Sequence, residues 1–139
     1  MYYLKTSAHF DSAHFLHGYN GKCANIHGHH WLVEVKILSS KLQESGEKRG
    51  MIWDFGDFKQ AVKKLAAGFD HTLIYEKNTL KPTTIAALKE EGFTLYETDF
   101  RPTAENFAAH IFTDLCNKGL PISCVTVYES PENCAVYGE

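Results

Sequence analysis

The chain has 139 residues, of which 44% are hydrophobic, 13% aromatic and 22% charged, with a formal net charge of −3. This length fits one domain, and this composition excludes a disordered or low-complexity chain and supplies a core without help from disulfides. The slight acidity argues against a general grip on nucleic acid or an anionic membrane surface. No apolar run approaches the ~18 residues of a membrane span, and Met1–Thr6 lacks a signal-peptide core, so a cytoplasmic protein is expected.

In chain order, Tyr2 to His14 reads as a strand, bent around Phe10-Asp11. Gly18 to Asn25 is rich in turn residues and reads as a loop. From Ile26 to Leu38 the pattern alternates, with Leu32, Glu34 and Lys36 on one face and Val33, Val35 and Ile37 on the other. That is a strand, and the two segments form an antiparallel hairpin with a long connection. Ser39 to Gly50 is a solvated link. Asp54 can cap a helix in which Phe55, Phe58, Val62 and Leu65 recur at helical spacing, ending near Gly68. Phe69-Asp70-His71 then falls on a loop just past the helix end. Within Tyr75–Arg101, a short helix over Thr84–Glu91 and a short strand over Phe93–Tyr96 are expected, because a structureless loop of that length is improbable. Thr103 is the N-cap of the next helix, with Phe107, His110, Ile111 and Leu115 as its apolar stripe and Gly119-Pro121 as its end. Asn106, not Glu105, stands at the box position, so no capping box is expected. Ile122 to Glu129 and Cys134 to Tyr137 are strands around a turn at Ser130–Asn133. The sum is an α+β domain spanning 1–139, with an insertion at about 75–101, one antiparallel sheet and two helices on one of its faces.

Eight histidines, six of them in the first thirty residues, are the unusual feature. His27 and His29 are two apart on a strand, so both project from one face and both rings can reach one metal ion. Gly28 between them keeps the opposite face free of bulk. A third ligand can come from the paired strand, where His9, His14 and His17 are candidates; three histidines with an open position describe a catalytic zinc site. His17, His30 and His110 otherwise read as ordinary polar residues. Cys23 has two readings, a fourth ligand in a closed structural site or a reactive thiol beside a metal. Cys116, Cys124 and Cys134 read as packed thiols. Asp70-His71 permits a carboxylate orienting a general acid/base. Glu129 at a strand end is either solvated or able to take two parallel hydrogen bonds from a planar donor edge.

Several blocks in order resemble the 6-pyruvoyltetrahydropterin synthase family, including its bacterial 6-carboxytetrahydropterin synthase branch. They are Phe10-Asp11-Ser12-Ala13-His14, Gly21-Lys22-Cys23-x-x-x-His27-Gly28-His29, Val33-Glu34-Val35, Trp53-Asp54-Phe55, Phe69-Asp70-His71, Pro102-Thr103-Ala104-Glu105, Val127-Tyr128-Glu129 and Ala135-Val136-Tyr137. The resemblance implies the tunnelling fold (T-fold), in which sheets of several subunits join into a barrel, usually in a homohexamer of two trimers. It implies Zn2+ on His14, His27 and His29, Cys23 as catalytic base, and Asp70 and His71 as the rest of the acid/base set. Glu129 would anchor the pterin, and Thr103 and Glu105 would line its pocket. The substrate would be 7,8-dihydroneopterin triphosphate. The queuosine branch yields 6-carboxy-5,6,7,8-tetrahydropterin, acetaldehyde and triphosphate, whereas the biopterin branch keeps the pyruvoyl chain. Lys22, His17 and Arg101 are candidate partners for triphosphate. A subgroup with glutamate in place of the cysteine cleaves the side chain differently, and Cys23 disfavours that activity here. The stretch between His71 and Pro102 is longer than in short bacterial members. The competing class is a zinc-binding module without catalysis, which leaves Asp70, His71 and Glu129 without a task.

Overall fold

The structure is a computed structural model and describes residues 1–138. Strands β1 (Tyr2–His14) and β2 (His27–Ser39) pair antiparallel along their whole lengths, with Tyr2 opposite Ser39 and His14 opposite His27. Between them a 3-10 turn covers Lys22–Ala24. Then come α1 (Phe55–Phe69), β3 (Leu73–Glu76), α2 (Pro82–Glu90), β4 (Leu95–Thr98), α3 (Ala104–Asn117), β5 (Ile122–Tyr128) and β6 (Cys134–Gly138). The sheet order is β4-β3-β1-β2-β5-β6.

One expectation is corrected here. The sheet is mixed rather than wholly antiparallel, because β3 joins β1 and β4 joins β3 in parallel. The short helix expected over Thr84–Glu91 is found as α2, starting two residues earlier, and it is the crossover that a parallel β3–β4 pair requires. Strand β3 escapes the sequence pattern because Ile74 and Tyr75, on opposite faces, are both buried. A short strand covered on both sides shows no alternation. Helix α2 begins at Pro82, where the fixed φ of proline suits the first helical position.

Parity along the central hairpin divides the sheet into two faces. Phe10, Trp31, Val33, Val35 and Ile37 are buried with Val125 and Val127 against Phe58, Val62, Ala66 and Phe69 of α1 and Phe107, Ala108, Ile111 and Leu115 of α3. Phe10, Trp31 and Phe107 are wholly or almost wholly buried, and Phe10 stacks on Trp31 with ring centroids 5.8 Å apart. The caps are as the sequence suggests. Asp54 accepts from the N–H of Asp57 at 2.9 Å, and Thr103 from that of Asn106 at 3.2 Å. The opposite face carries Asp11, Ala13, Gly28, His30 and Glu34, and α2 lies to that side, with no fully buried residue.

Candidate active site

Register decides which histidines meet. His14 lies opposite His27, and Ser12 opposite His29, so His14, His27 and His29 share the helix-covered face. His9 lies opposite Leu32 on the other face, where its ring stacks on His30 at 4.5 Å. His30 itself is 2.6 Å from Asp11 Oδ1. His110 packs on Phe100, and His17 stands in the loop. Among the described residues, the donor atoms of His14, His27, His29 and Glu129 lie within 4.8 Å of one another. Cys23 is outside that group.

The rings are fixed from behind. His14 Nδ1 donates to the Pro102 carbonyl at 2.8 Å, and His27 Nδ1 to the Asn25 carbonyl at 2.6 Å. A carbonyl only accepts, so both Nδ1 atoms carry the proton and both Nε2 atoms present lone pairs in the neutral rings. Those two Nε2 atoms face each other at 3.1 Å. Two lone pairs at that distance repel unless a proton or a metal cation sits between them. Burial lowers the pKa of His14 more than the Pro102 hydrogen bond raises it, and burial also lowers that of His29 against the pull of Glu129. A proton is therefore disfavoured. His29 Nε2 is buried and makes no well-directed hydrogen bond, although Glu129 Oε1 lies 2.7 Å away. Convergent bare nitrogens, an orphaned buried nitrogen and backbone carbonyls orienting the rings fit a divalent metal, and imidazole suits zinc among the common ones. Trp31 lies beneath, edge-on to His14 and His29 at 4.9 and 5.2 Å.

Asp70 and His71 are held differently. Asp70 caps the C-terminus of α1, and the next residue, His71, has φ of +56°, which turns the chain sharply. Asp70 Oδ1 accepts from the backbone N–H of Asp11 at 2.8 Å, and the N–H of His71 donates to the Asp11 carbonyl at 2.7 Å. The pair is thus pinned to the backbone of β1. Asp70 Oδ2 lies 2.9 Å from His71 Nδ1, and the His71 side chain is 79% exposed. The Asp11 N–H, and then the His71 ring, hold the Asp70 carboxyl below the usual range, while the Asp70 carboxylate raises the His71 imidazole. His71 lines a cleft of about 690 Å³ with Asp11, His29, His30, Leu88 and Phe93, so α2 and the turn after it form one wall. A second cleft of about 650 Å³ holds Glu129, Tyr128 and His9. Both clefts share Gly28, where an added Cβ would meet only the Ser12 carbonyl, at 3.7 Å. The backbone does not demand glycine there; a side chain would fill the common floor.

Glu129 follows β5 and reaches both His29 and, at 3.6 Å, His14. The sequence reading placed it at a ligand edge and did not join it to the histidines. Thr103 serves as the α3 cap and Glu105 is exposed on the first turn of that helix; neither lines the two clefts. The carbonyls of Asn25 and Pro102, which orient the rings, leave no mark in a sequence. Trp31 could have been suspected from its place two residues after His29.

A mixed sheet with two helices on one face and a histidine cluster at the loop end of its central hairpin defines the T-fold class with a candidate metal site. The family model for 6-pyruvoyl tetrahydropterin synthase matches residues 3–139, and the chain belongs to that family. It is 37% identical over 142 residues to a 6-carboxy-5,6,7,8-tetrahydropterin synthase of Haemophilus influenzae, covering 100% of both chains. It is 33% identical to the enzyme of the same name from Rickettsia typhi, over 91% of this chain and 92% of the relative. An uncharacterized protein from Wolinella succinogenes superposes with a TM-score of 0.81 at 19% identity, covering 99% of this chain and 98% of that one. The 6-pyruvoyl tetrahydropterin synthase of Caenorhabditis elegans superposes with a TM-score of 0.67 at 23% identity, covering 99% and 95%. These two structures share the fold. Among the described residues no helix is long and apolar enough to cross a membrane.

Proposed function

We propose that this chain is a zinc-dependent lyase that converts 7,8-dihydroneopterin triphosphate and water to 6-carboxy-5,6,7,8-tetrahydropterin, acetaldehyde and triphosphate, a step of queuosine biosynthesis. On this reading the chain is one domain with an insertion at about 75–101, acts in the cytoplasm and assembles as a homohexamer of two trimers. The observation that carries it is the set of imidazoles whose Nε2 atoms converge while backbone carbonyls hold Nδ1 of His14 and His27. Family membership and the name shared by the two bacterial relatives support the reaction class.

His14, His27 and His29 would hold zinc, which when bound supplies Lewis acidity to the side-chain hydroxyls of the substrate. Cys23, as thiolate, removes a proton from that side chain. His71, oriented by Asp70, carries a proton to or from the reacting face, and its carboxylate partner stabilises the charged imidazolium. Glu129, which lies beside the His29 imidazole, would accept from the donor edge of the pterin. The proton shifts reduce the ring at the expense of the side chain, so no nicotinamide is required.

The test is mass spectrometry of the product formed from 7,8-dihydroneopterin triphosphate by zinc-loaded protein. A 6-carboxy product with acetaldehyde supports the proposal. A 6-pyruvoyl product would assign the chain to the other branch. Absence of turnover with full zinc would return it to the non-catalytic class.

A further inference from the structure

The loop joining the two histidine-bearing strands carries Cys23, and its own hydrogen bonds are few. The Leu16 N–H donates to the Cys23 carbonyl at 2.9 Å, and the Tyr19 N–H to the Leu16 carbonyl at 3.2 Å. Past these, the Ala24 and Asn25 N–H groups donate to the Gly21 and Lys22 carbonyls at 3.1 and 3.0 Å, and the Asn25 carbonyl accepts from His27 Nδ1, so the loop is tied to β2 at one end. Into it reaches Arg101, whose Nη2 donates to the His17 carbonyl at 3.0 Å across a sequence separation of 84. Its guanidinium also lies over the Tyr19 ring, 5.8 Å from the centroid. The other end of Arg101 is anchored. Its carbonyl accepts from the Thr103 N–H at 2.8 Å and from Asn106 Nδ2 at 2.9 Å, at the N-terminus of α3. The next residue, Pro102, gives the carbonyl that holds the His14 ring.

We infer that Arg101 is a positioning residue, clamping the Cys23 loop to the segment that orients His14. The inference rests on the reading of Cys23 as part of the chemistry. A guanidinium suits the task because its several donors let it bond a carbonyl while its charge sits over an aromatic ring. No carboxylate lies within ion-pair distance of Arg101 among the described residues, and its Nε is buried without a hydrogen-bond partner. The side chain is therefore directed at a carbonyl and a ring face rather than at an opposite charge. One strut then spans the two parts of the site, so the base and a metal ligand keep a common frame.

The test uses full-length, zinc-loaded protein with Arg101→Ala, Arg101→Lys and Tyr19→Leu, read by amide hydrogen exchange, zinc content, kcat and KM. In Arg101→Ala, exchange at Leu16 and Tyr19 should accelerate about tenfold, as for loss of a hydrogen bond from a charged donor. Zinc should stay bound, kcat should fall by a similar factor, and KM should stay nearly constant. Tyr19→Leu should accelerate exchange ~2–5-fold. Arg101→Lys should recover part of the loss, since an ammonium can reach the carbonyl but, as a compact point charge, cannot also cover the Tyr19 ring. Unchanged exchange in Arg101→Ala overturns the clamp. Faster exchange with unchanged kcat overturns the link to Cys23. A raised KM with unchanged kcat makes Arg101 a substrate contact and also overturns it. If Arg101→Ala does not fold, the other two variants decide by the same readings. Full turnover in Cys23→Ala would instead refute the catalytic reading of Cys23 and leave the exchange result standing.

Discussion

The histidine cluster at the end of the central hairpin and the Asp70–His71 pair use the same side chain in opposite settings. His14 is 1% exposed, its Nδ1 proton is held by a carbonyl, and burial keeps the ring neutral. His71 stands out from the chain beside a carboxylate that favours its cation. An imidazole that must offer a lone pair is buried on a sheet face. One that exchanges protons is left exposed on a turn and held through its backbone. Backbone hydrogen bonds fix both, so neither setting depends on a flexible surface ion pair.

The comparison can be broken first at the buried side. His14→Ala should lose zinc by well over the ~10–100-fold typical of removing a metal ligand's hydrogen-bond partner, measured by metal analysis and chelator competition. If that variant keeps its zinc while His9→Ala loses it, the assignment of faces by register is wrong. Next is Cys23→Ala, which should keep zinc and melting temperature but lose ~10²–10⁴-fold in turnover. A joint loss of metal and stability would make Cys23 a structural ligand after all. Glu129→Gln sharpens the boundary of the metal group. Substrate affinity should fall ~10–100-fold through unpaired donors, with zinc retained; loss of zinc instead would place Glu129 among the ligands.

On the exposed side the expected effect is a shift along the pH axis. The Asp70 carboxylate raises the His71 pKa, so the protonated imidazole persists above its ordinary 6.5 and is lost as pH rises through the raised value. Asp70→Asn removes that support. The alkaline limb of kcat/KM should therefore move to lower pH, and an NMR titration of His71 should move with it. The stability His71 draws from the pair has the same sign, full below its unfolded pKa while Asp70 stays ionised and gone above its folded one, whereas the Asp70 contribution is lost as pH falls through its own lowered value. An unmoved limb would show that His71 is not the group being titrated. The smallest effect is Thr103→Ala. Losing the α3 cap should cost about 1 kcal/mol by denaturant unfolding, with zinc unchanged.

Much of this molecule is legible in the sequence because its central hairpin has a strong period. Val33, Val35 and Ile37 announce one face, and the His-x-His spacing places two rings on that face. The third ligand is not legible from spacing. Choosing among His9, His14 and His17 requires the register, and the turn-rich loop before His27 could close at several lengths. The structure settles parity by pairing His14 with His27. Strand β3 is hidden because both of its faces are covered, and the parallel sense of β3 and β4 is visible only once α2 is seen to cross between them. The ring-orienting carbonyls of Asn25 and Pro102 and the anchorage of Asp70 on Asp11 are backbone contacts, which residue identity does not encode.

The placement of the three histidines has a consequence for the order of folding. All belong to one hairpin, with His14 and His27 only 13 positions apart, whereas the Pro102 carbonyl that fixes His14 lies 88 positions away. By sequence separation, pairing of β1 with β2 should precede the docking of α3 against it. If the three histidines bind zinc as proposed, an ion present during refolding would meet their nitrogens as soon as the hairpin closes and find them rigid only after α3 arrives. Zinc should therefore speed the formation of the hairpin. It should also raise the melting temperature by less than its affinity for the native chain implies, because a partly folded chain already competes for the ion.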